Sequence, residues 1–300
     1  MIDFIKLDIS LCDPRKLYYH PELEAIWVQE RNLKTGDPRS AVFSKIDNIK
    51  FKIFPRGDFF DNPYIELSGS LHKYFNIISG LGNHNHNSLT YDDLIYTIYH
   101  LYERFSIEPV ESYIINAEYG FNIRTWEPPT ELISNSFISY KNNPITRLKY
   151  FGGRGFYTEH EKSEYNIKVY DKSRQYSLTE NILRFEIKTK KRRVINKKGI
   201  ITLNDLIKRN NLEILIDDLL DKLINFVIVD HVNEEYFQNN SKYVFEYQKA
   251  TNPNYWSSNA TNYYKTNTKS FIHDLNIDTV KQNLYLEAYY EMHKTMLDDV

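Results

Sequence analysis

Apolar and polar positions alternate at a period of two over the first residues, with Ile2, Phe4, Lys6 and Asp8 interleaving Asp3, Ile5, Leu7 and Ile9, which predicts an opening strand. Ala25 to Gln29, Ile49 to Phe54 and Tyr64 to Ser68 carry the same signature. The pattern then changes to helical spacing. Thr90 stands as an N-cap with Asp92 and Asp93 in the first turn, and Leu94, Ile95, Ile98, Leu101 and Tyr102 line one side of a helix over Asp92 to Phe105. A long strand follows over Ser112 to Arg124. Pro128-Pro129 ends it and starts a helix expected over Thr130 to Tyr140. Arg147 to Phe151 begins another strand, and Gly152-Gly153-Arg154-Gly155 makes a tight turn.

Two strands come next, each with a chemically unusual face. Ile167 and Val169 alternate with Lys168, Tyr170 and Lys172, and Leu183, Phe185 and Ile187 alternate with Arg184, Glu186 and Lys188. Side by side, they present a phenol, ammonium groups and a carboxylate on one surface. Past residue 198 helical spacing dominates, over Leu203 to Val229 with Thr202 as a cap, and again over Ile277 to Met296. Residues 233 to 269 are rich in Asn and Tyr with little periodicity. The expectation is an α+β chain: a central antiparallel sheet with crossing helices over residues 1–198, and a helical C-terminal region over 199–300.

At 300 residues and 41% hydrophobic content, the chain can build one large core or two modest ones. A formal net charge of −2 rules out a polycation, so any nucleic-acid surface must be a local patch. Cys12 is the single cysteine, which excludes an intramolecular disulfide and fits a reducing compartment. The first residues lack the basic and apolar regions of a signal peptide, and no apolar run is long enough to span a bilayer. A soluble, cytoplasmic protein with no membrane partner is expected. The many Tyr and Asn residues would also suit a sugar-binding β-protein, but a secretion signal usually accompanies that role.

A tyrosine hydroxyl can form a covalent intermediate, neighbouring cations offset developing phosphate charge, and carboxylates hold hard divalent ions. Tyr170, Lys168 and Lys172 are therefore candidates for phosphodiester chemistry, although with 25 tyrosines such residues are also ordinary on a solvated strand face. Glu118 sits mid-strand among apolar neighbours, where a carboxylate needs a cation or a metal. Glu118 with Glu186 makes a hard-oxygen pair suited to Mg²⁺ or Mn²⁺. His84 and His86 share one side of a polar loop and are candidate ligands, as is His72, and a merely polar loop is the plain alternative. From Lys188 to Lys198 seven of eleven residues are basic, including Lys190, Lys191, Arg192 and Arg193, and Arg147, Lys149 and Arg154 would add to a phosphate-attracting field. A solvated surface would read the same way. There is no P-loop, dinucleotide fingerprint, HExxH or cysteine zinc pattern.

In order along the chain, Gly69-Ser70-Leu71-His72-Lys73-Tyr74, Gly82-Asn83-His84-Asn85, Thr90-Tyr91-Asp92-Asp93-Leu94, Ala117-Glu118-Tyr119-Gly120-Phe121-Asn122, Val169-Tyr170-Asp171-Lys172 and Leu183-Arg184-Phe185-Glu186-Ile187 resemble motifs of the rolling-circle replication initiators of phages and plasmids. The filamentous-phage gene II protein family is the nearest likeness, and the match covers roughly residues 60 to 195. The resemblance implies a replication-initiator nuclease fold and a metal-dependent endonuclease that nicks one strand at an origin. Tyr170 would become the 5′-phosphotyrosyl residue and leave a free 3′-OH. Lys172 would steady the charge, and Glu118, Glu186 and His84 would hold the metal. Lys168, Lys188, Lys190, Lys191, Arg192, Arg193 and Arg154 would contact DNA. The implied partners are single-stranded or cruciform origin DNA and a bacterial host's helicase and polymerase. The family usually has Asp where Glu118 stands, and Tyr165, Tyr157 and Tyr176 are rival nucleophiles. A relaxase or transposase with the same chemistry, and a DNA-binding replication protein without cleavage, are the other readings.

Overall fold

The computed structural model describes residues 2–31, 38–141, 143–145, 149–150, 156–238, 240–258 and 261–296. Arg147, Arg154 and the glycine turn around Arg154 lie outside the described residues, as does the Lys149 side chain.

The alternating segments hydrogen-bond into a ten-stranded sheet. Its strands are β1 (Ile2–Asp8), β2 (Val28–Arg31), β3 (Pro38–Ile46), β4 (Ile49–Phe54), β5 (Tyr64–Ser70), β6 (Tyr113–Arg124), β9 (Lys149–Tyr150), β10 (Phe156–Glu161), β11 (Tyr165–Asp171) and β12 (Ile182–Thr189). They run in the order β2-β3-β4-β5-β1-β6-β12-β11-β10-β9, and the strand pairs are antiparallel. A smaller sheet, β13-β7-β8, joins Phe226–Ile228, Phe137–Tyr140 and Asn143–Pro144.

Because side chains alternate across a strand, the large sheet has one oily face and one polar face. Ile5, Leu7, Phe51, Leu67, Ala117, Tyr119, Phe121, Phe185 and Ile187 form one core with Leu94, Ile98 and Leu101 of the Tyr91–Phe105 helix. Leu215 and Leu219 of the Arg209–Ile224 helix, and Leu284 and Ala288 of the Thr279–Met296 helix, complete it. These two C-terminal helices thus bury their apolar sides on the same core as the sheet. The opposite face carries Phe4, Lys6, Glu118, Asn122, Arg184, Glu186, Lys168 and Tyr170, and the candidate chemistry sits there. A second cluster around Trp256 ties Ile138 and Val227 of the small sheet to Ala250, Ile272 and Ile277.

The expected α+β arrangement is present, with local differences. Helix capping is as read: Thr90 and Asp93 form a reciprocal capping box, and so do Thr202 and Asp205. The helix expected over Thr130 to Tyr140 stops at Asn135, and Phe137–Tyr140 becomes β7 because its four residues are buried and pair with β13. The run from Leu203 breaks into a 3-10 turn, the Arg209–Ile224 helix and β13. Residues 233 to 269, which show little periodicity, contain helices over Ser241–Ala250, Pro253–Ser257 and from Asn262 onward.

Candidate functional site

The pairing of β11 with β12 sets the two polar faces on one surface, as their alternation predicts, and its register places Lys168 opposite Glu186 and Tyr170 opposite Arg184. The next pairing, β12 with β6, puts Gly120 opposite Glu186 and Lys188 opposite Glu118. Gly120 makes room for the Glu186 side chain: a Cβ there would lie 2.2 Å from the Phe185 carbonyl oxygen and 2.7 Å from the Glu186 Cα. Of these residues Glu118, Lys168, Tyr170 and Glu186 line a cavity of about 580 Å³, together with Asp3 and Tyr176 among others.

Tyr170 donates its hydroxyl hydrogen to Glu186 Oε2 at 3.2 Å, and Arg184 Nε approaches the same oxygen at 3.4 Å. Lys168 Nζ stands 3.5 Å from the other carboxylate oxygen. Tyr170 is 8% exposed, and burial together with the Glu186 charge pushes its phenol well above the usual tyrosine range. Burial opposes the Lys168 charge, but Glu186, Glu118 and Glu159 outweigh it and hold that ammonium above the ordinary lysine value. Glu118 is raised by burial and by the neighbouring Glu186, and its Oε1 is held by Lys188 Nζ at 2.5 Å.

Behind this pair lies a buried polar knot. Asp3 sits at a register shift between β1 and β6. It accepts from Ser70 Oγ at 2.6 Å and Asn85 Nδ2 at 2.5 Å, and Arg184 Nη2 lies 3.6 Å away. Burial would raise its carboxyl, but Arg184 and Lys172 prevail and hold it at about 2. Asn85 Oδ1 accepts from Lys172 Nζ at 2.8 Å and from the Tyr176 hydroxyl at 2.7 Å. Ser70 also caps the Leu71–Ile78 helix by accepting from the Lys73 N–H. Asp171 caps the Lys172–Tyr176 helix and accepts from Thr130 Oγ1 at 2.8 Å, which fixes the approach of Lys172 and Tyr176. Lys172 is 0% exposed; burial first, then Arg184, lowers its ammonium to about 7.

The remaining expected residues are more dispersed. His84 Nδ1 accepts from Asn76 Nδ2 (3.2 Å), its Nε2 donates to the Leu81 carbonyl (2.9 Å), and its ring stacks on His86 at 4.0 Å. It does not line the cavity with Glu118 and Glu186. Among the described residues, no group of three or more His, Cys, Asp or Glu side chains is placed to hold a metal ion. Each of the two carboxylates already has a lysine partner, so Glu118, Glu186 and His84 as placed do not fit a common metal, and no chemical step below uses one. His72 is buried against Asn87 Oδ1, and burial lowers it to about 3. Of the basic run, Lys190 bonds Glu161 at 2.5 Å, Arg193 pairs with Glu164, and Arg192 lies over the Tyr113 ring at 5.0 Å. Lys191 is exposed at the start of the short Arg192–Asn196 helix. In register, Lys190 follows Arg184 by six residues, about 20 Å along β12 from the partner of Tyr170.

Asp3, Ser70 and Asn85 were not among the expected site residues. Asp3 did carry a signal, since its carboxylate falls in the apolar phase of the opening strand, in step with Ile5 and Leu7.

No protein-family model matches this chain, and no curated protein does. Among solved structures, the rolling circle replication initiator protein from Geobacillus stearothermophilus is similar over 75% of this chain and 84% of that one, with 13% identity and a TM-score of 0.38. A likeness that distant carries no argument about the site.

Proposed function

We propose that the protein nicks DNA through Tyr170, as an initiator of rolling-circle replication. The observation that carries this is the Tyr170 hydroxyl bonded to the Glu186 carboxylate inside a lysine-lined cavity. A phenol held above its usual range needs a base at the moment of attack, and Glu186 is within reach of its proton. Glu186 takes that proton, the Tyr170 oxygen bonds to phosphorus, and the bond from phosphorus to the 3′ oxygen breaks. The leaving oxygen picks up a proton from water. A 5′-phosphotyrosyl enzyme and a free 3′-OH result. Lys168, Lys172 and Arg184 offset the negative charge on the non-bridging phosphate oxygens.

The substrate in this proposal is single-stranded or cruciform DNA, because an attacking side chain must reach an exposed phosphate. Lys188, Lys190, Lys191, Arg192 and Arg193 would extend the contact outward along β12. A DNA-binding replication protein without cleavage is the second reading, favoured by the burial of Tyr170 at 8% exposed. The deciding experiment is incubation with labelled circular single-stranded DNA, with and without Mn²⁺, followed by a denaturing gel. A band shifted by one protein mass, and absent with Tyr170→Phe, is expected. Retained adduct with that variant would end the Tyr170 assignment, and no adduct at all would favour binding alone.

A further inference from the structure

The cavity has a second wall that the chemistry above does not use. It is built from β3, β4, β5 and the first turn of the Leu71–Ile78 helix, and it brings in Phe43, Lys45, Lys50, Ser68 and Lys73. The β3–β4 register sets Lys45 opposite Lys50, and β4–β5 sets Lys50 opposite Ser68, so these side chains share the polar face of the sheet with Tyr170. The hairpin that joins them turns at Asp47-Asn48, both at positive φ (45° and 67°), a tight turn that keeps the two strands in this register.

The two walls differ in how their charge is used. Lys168 and Lys188 are neutralised by Glu186 and Glu118, and Lys190 and Arg193 by Glu161 and Glu164. Lys45, Lys50 and Lys73 have no ion pair to a carboxylate among the described residues. Unpaired ammonium groups that converge on one cavity favour a polyanion. Lys50 Nζ also stands 4.2 Å over the Phe43 ring, so a cation and an aromatic side chain lie together. That combination suits a nucleotide strand, where the phosphate meets the cation and the base packs on the ring. Duplex DNA hides its base faces in the stack, so an aromatic wall is useful only to unpaired bases.

We propose that this wall grips the backbone of single-stranded DNA, with Lys45, Lys50 and Lys73 on phosphates and Phe43 under a base, and holds the strand against Tyr170. The proposal rests on the nicking reading for its direction, but it can fail separately.

The test is fluorescence anisotropy of labelled oligo-dT across a salt series, with the full chain and three variants. Combined Lys45→Gln, Lys50→Gln and Lys73→Gln should weaken binding tenfold or more and reduce the log–log salt slope by about 2, since each single-strand phosphate neutralised contributes about 0.7. Phe43→Leu should weaken binding severalfold and leave the slope unchanged. Combined Lys190→Gln and Arg193→Gln should change the slope by less than the first set. An unchanged slope in the triple variant, with wild-type adduct formation intact, would overturn the gripping wall and leave the nicking reading standing. Equal loss in all charge variants, or preference of the wild type for duplex of the same length, would also overturn it. Absence of both oligo-dT binding and adduct in the wild type would remove both proposals. The substituted lysines lie on the surface-facing wall, and unchanged far-ultraviolet circular dichroism would show that the variants fold.

Discussion

Replacing Lys172 with Met probes the electrostatic setting of the site without DNA. The side chain is wholly buried, and burial together with Arg184 brings its ammonium from the ordinary 10.5 to about 7. Between those limits the unfolded chain binds a proton that the folded chain does not, so folding stability rises with pH across that window. Below about pH 7 both states are protonated and the folded chain bears the full cost of the buried charge. Above about 10.5 neither holds the proton and the cost is gone. The interval corresponds to about 5 kcal/mol in all, and to about 3 kcal/mol between pH 6 and 9, as upper bounds. Met is of similar length and carries no charge, and Asn85 Oδ1 keeps the Tyr176 hydroxyl as a donor. Urea unfolding followed by tryptophan fluorescence at several pH values would measure the difference. Lys172→Met should be more stable than the wild type at pH 6, with the advantage shrinking by about 2–3 kcal/mol by pH 9. A difference that stays constant with pH would show that Lys172 is not buried as a strained cation.

Gly120→Ala should destabilise the fold by about 2–4 kcal/mol, because its Cβ meets backbone atoms of β12 that cannot move aside, and urea unfolding would read it. Adduct formation should fall as pH rises through about 7, since deprotonated Lys172 no longer offsets phosphate charge; initial rates on labelled DNA would show a rising limb instead if that role is wrong. Glu186→Gln should lower the nicking rate by a factor of about 10²–10⁴, the usual scale for removing a general base, with DNA affinity retained in an anisotropy titration. Changing Lys190, Lys191, Arg192 and Arg193 to Ala should reduce the salt slope of single-stranded DNA binding by about 0.7 for each phosphate that these side chains neutralise, and an unchanged slope would mark the run as a solvated face.

The residues that pattern alone can place are those whose environment is set by pairing at a period of two. Tyr165–Asp171 and Ile182–Thr189 alternate cleanly, so the sharing of one face by Lys168, Tyr170, Arg184 and Glu186 is legible in the sequence, whereas the meeting of Lys168 with Glu186 and of Tyr170 with Arg184 depends on register, which alternation does not set. β3 is not, because Ala41, Val42 and Phe43 are adjacent and blur the alternation, which hides the wall bearing Lys45. β10 is obscured by its polar content, with Glu159, His160 and Glu161 in succession. The helices between Ser241 and Asp274 bury few apolar side chains, chiefly Ala250, Trp256 and Ile272, so they leave little periodic signal. Motif order puts His84 with the carboxylates, whereas its ring is engaged locally by Asn76, Leu81 and His86. Asn85, one residue on, is the member of that loop that enters the site, and only long-range contacts with Asp3, Lys172 and Tyr176 reveal it.

Direct identification of the DNA-linked residue tests the central claim most closely. The protein would be reacted with single-stranded DNA, digested with nuclease and protease, and the peptide carrying the nucleotide remnant sequenced by mass spectrometry. A nucleotide on Tyr170 is the expected result. A nucleotide on Tyr176, Tyr165 or Tyr157, or on none of them, would contradict it.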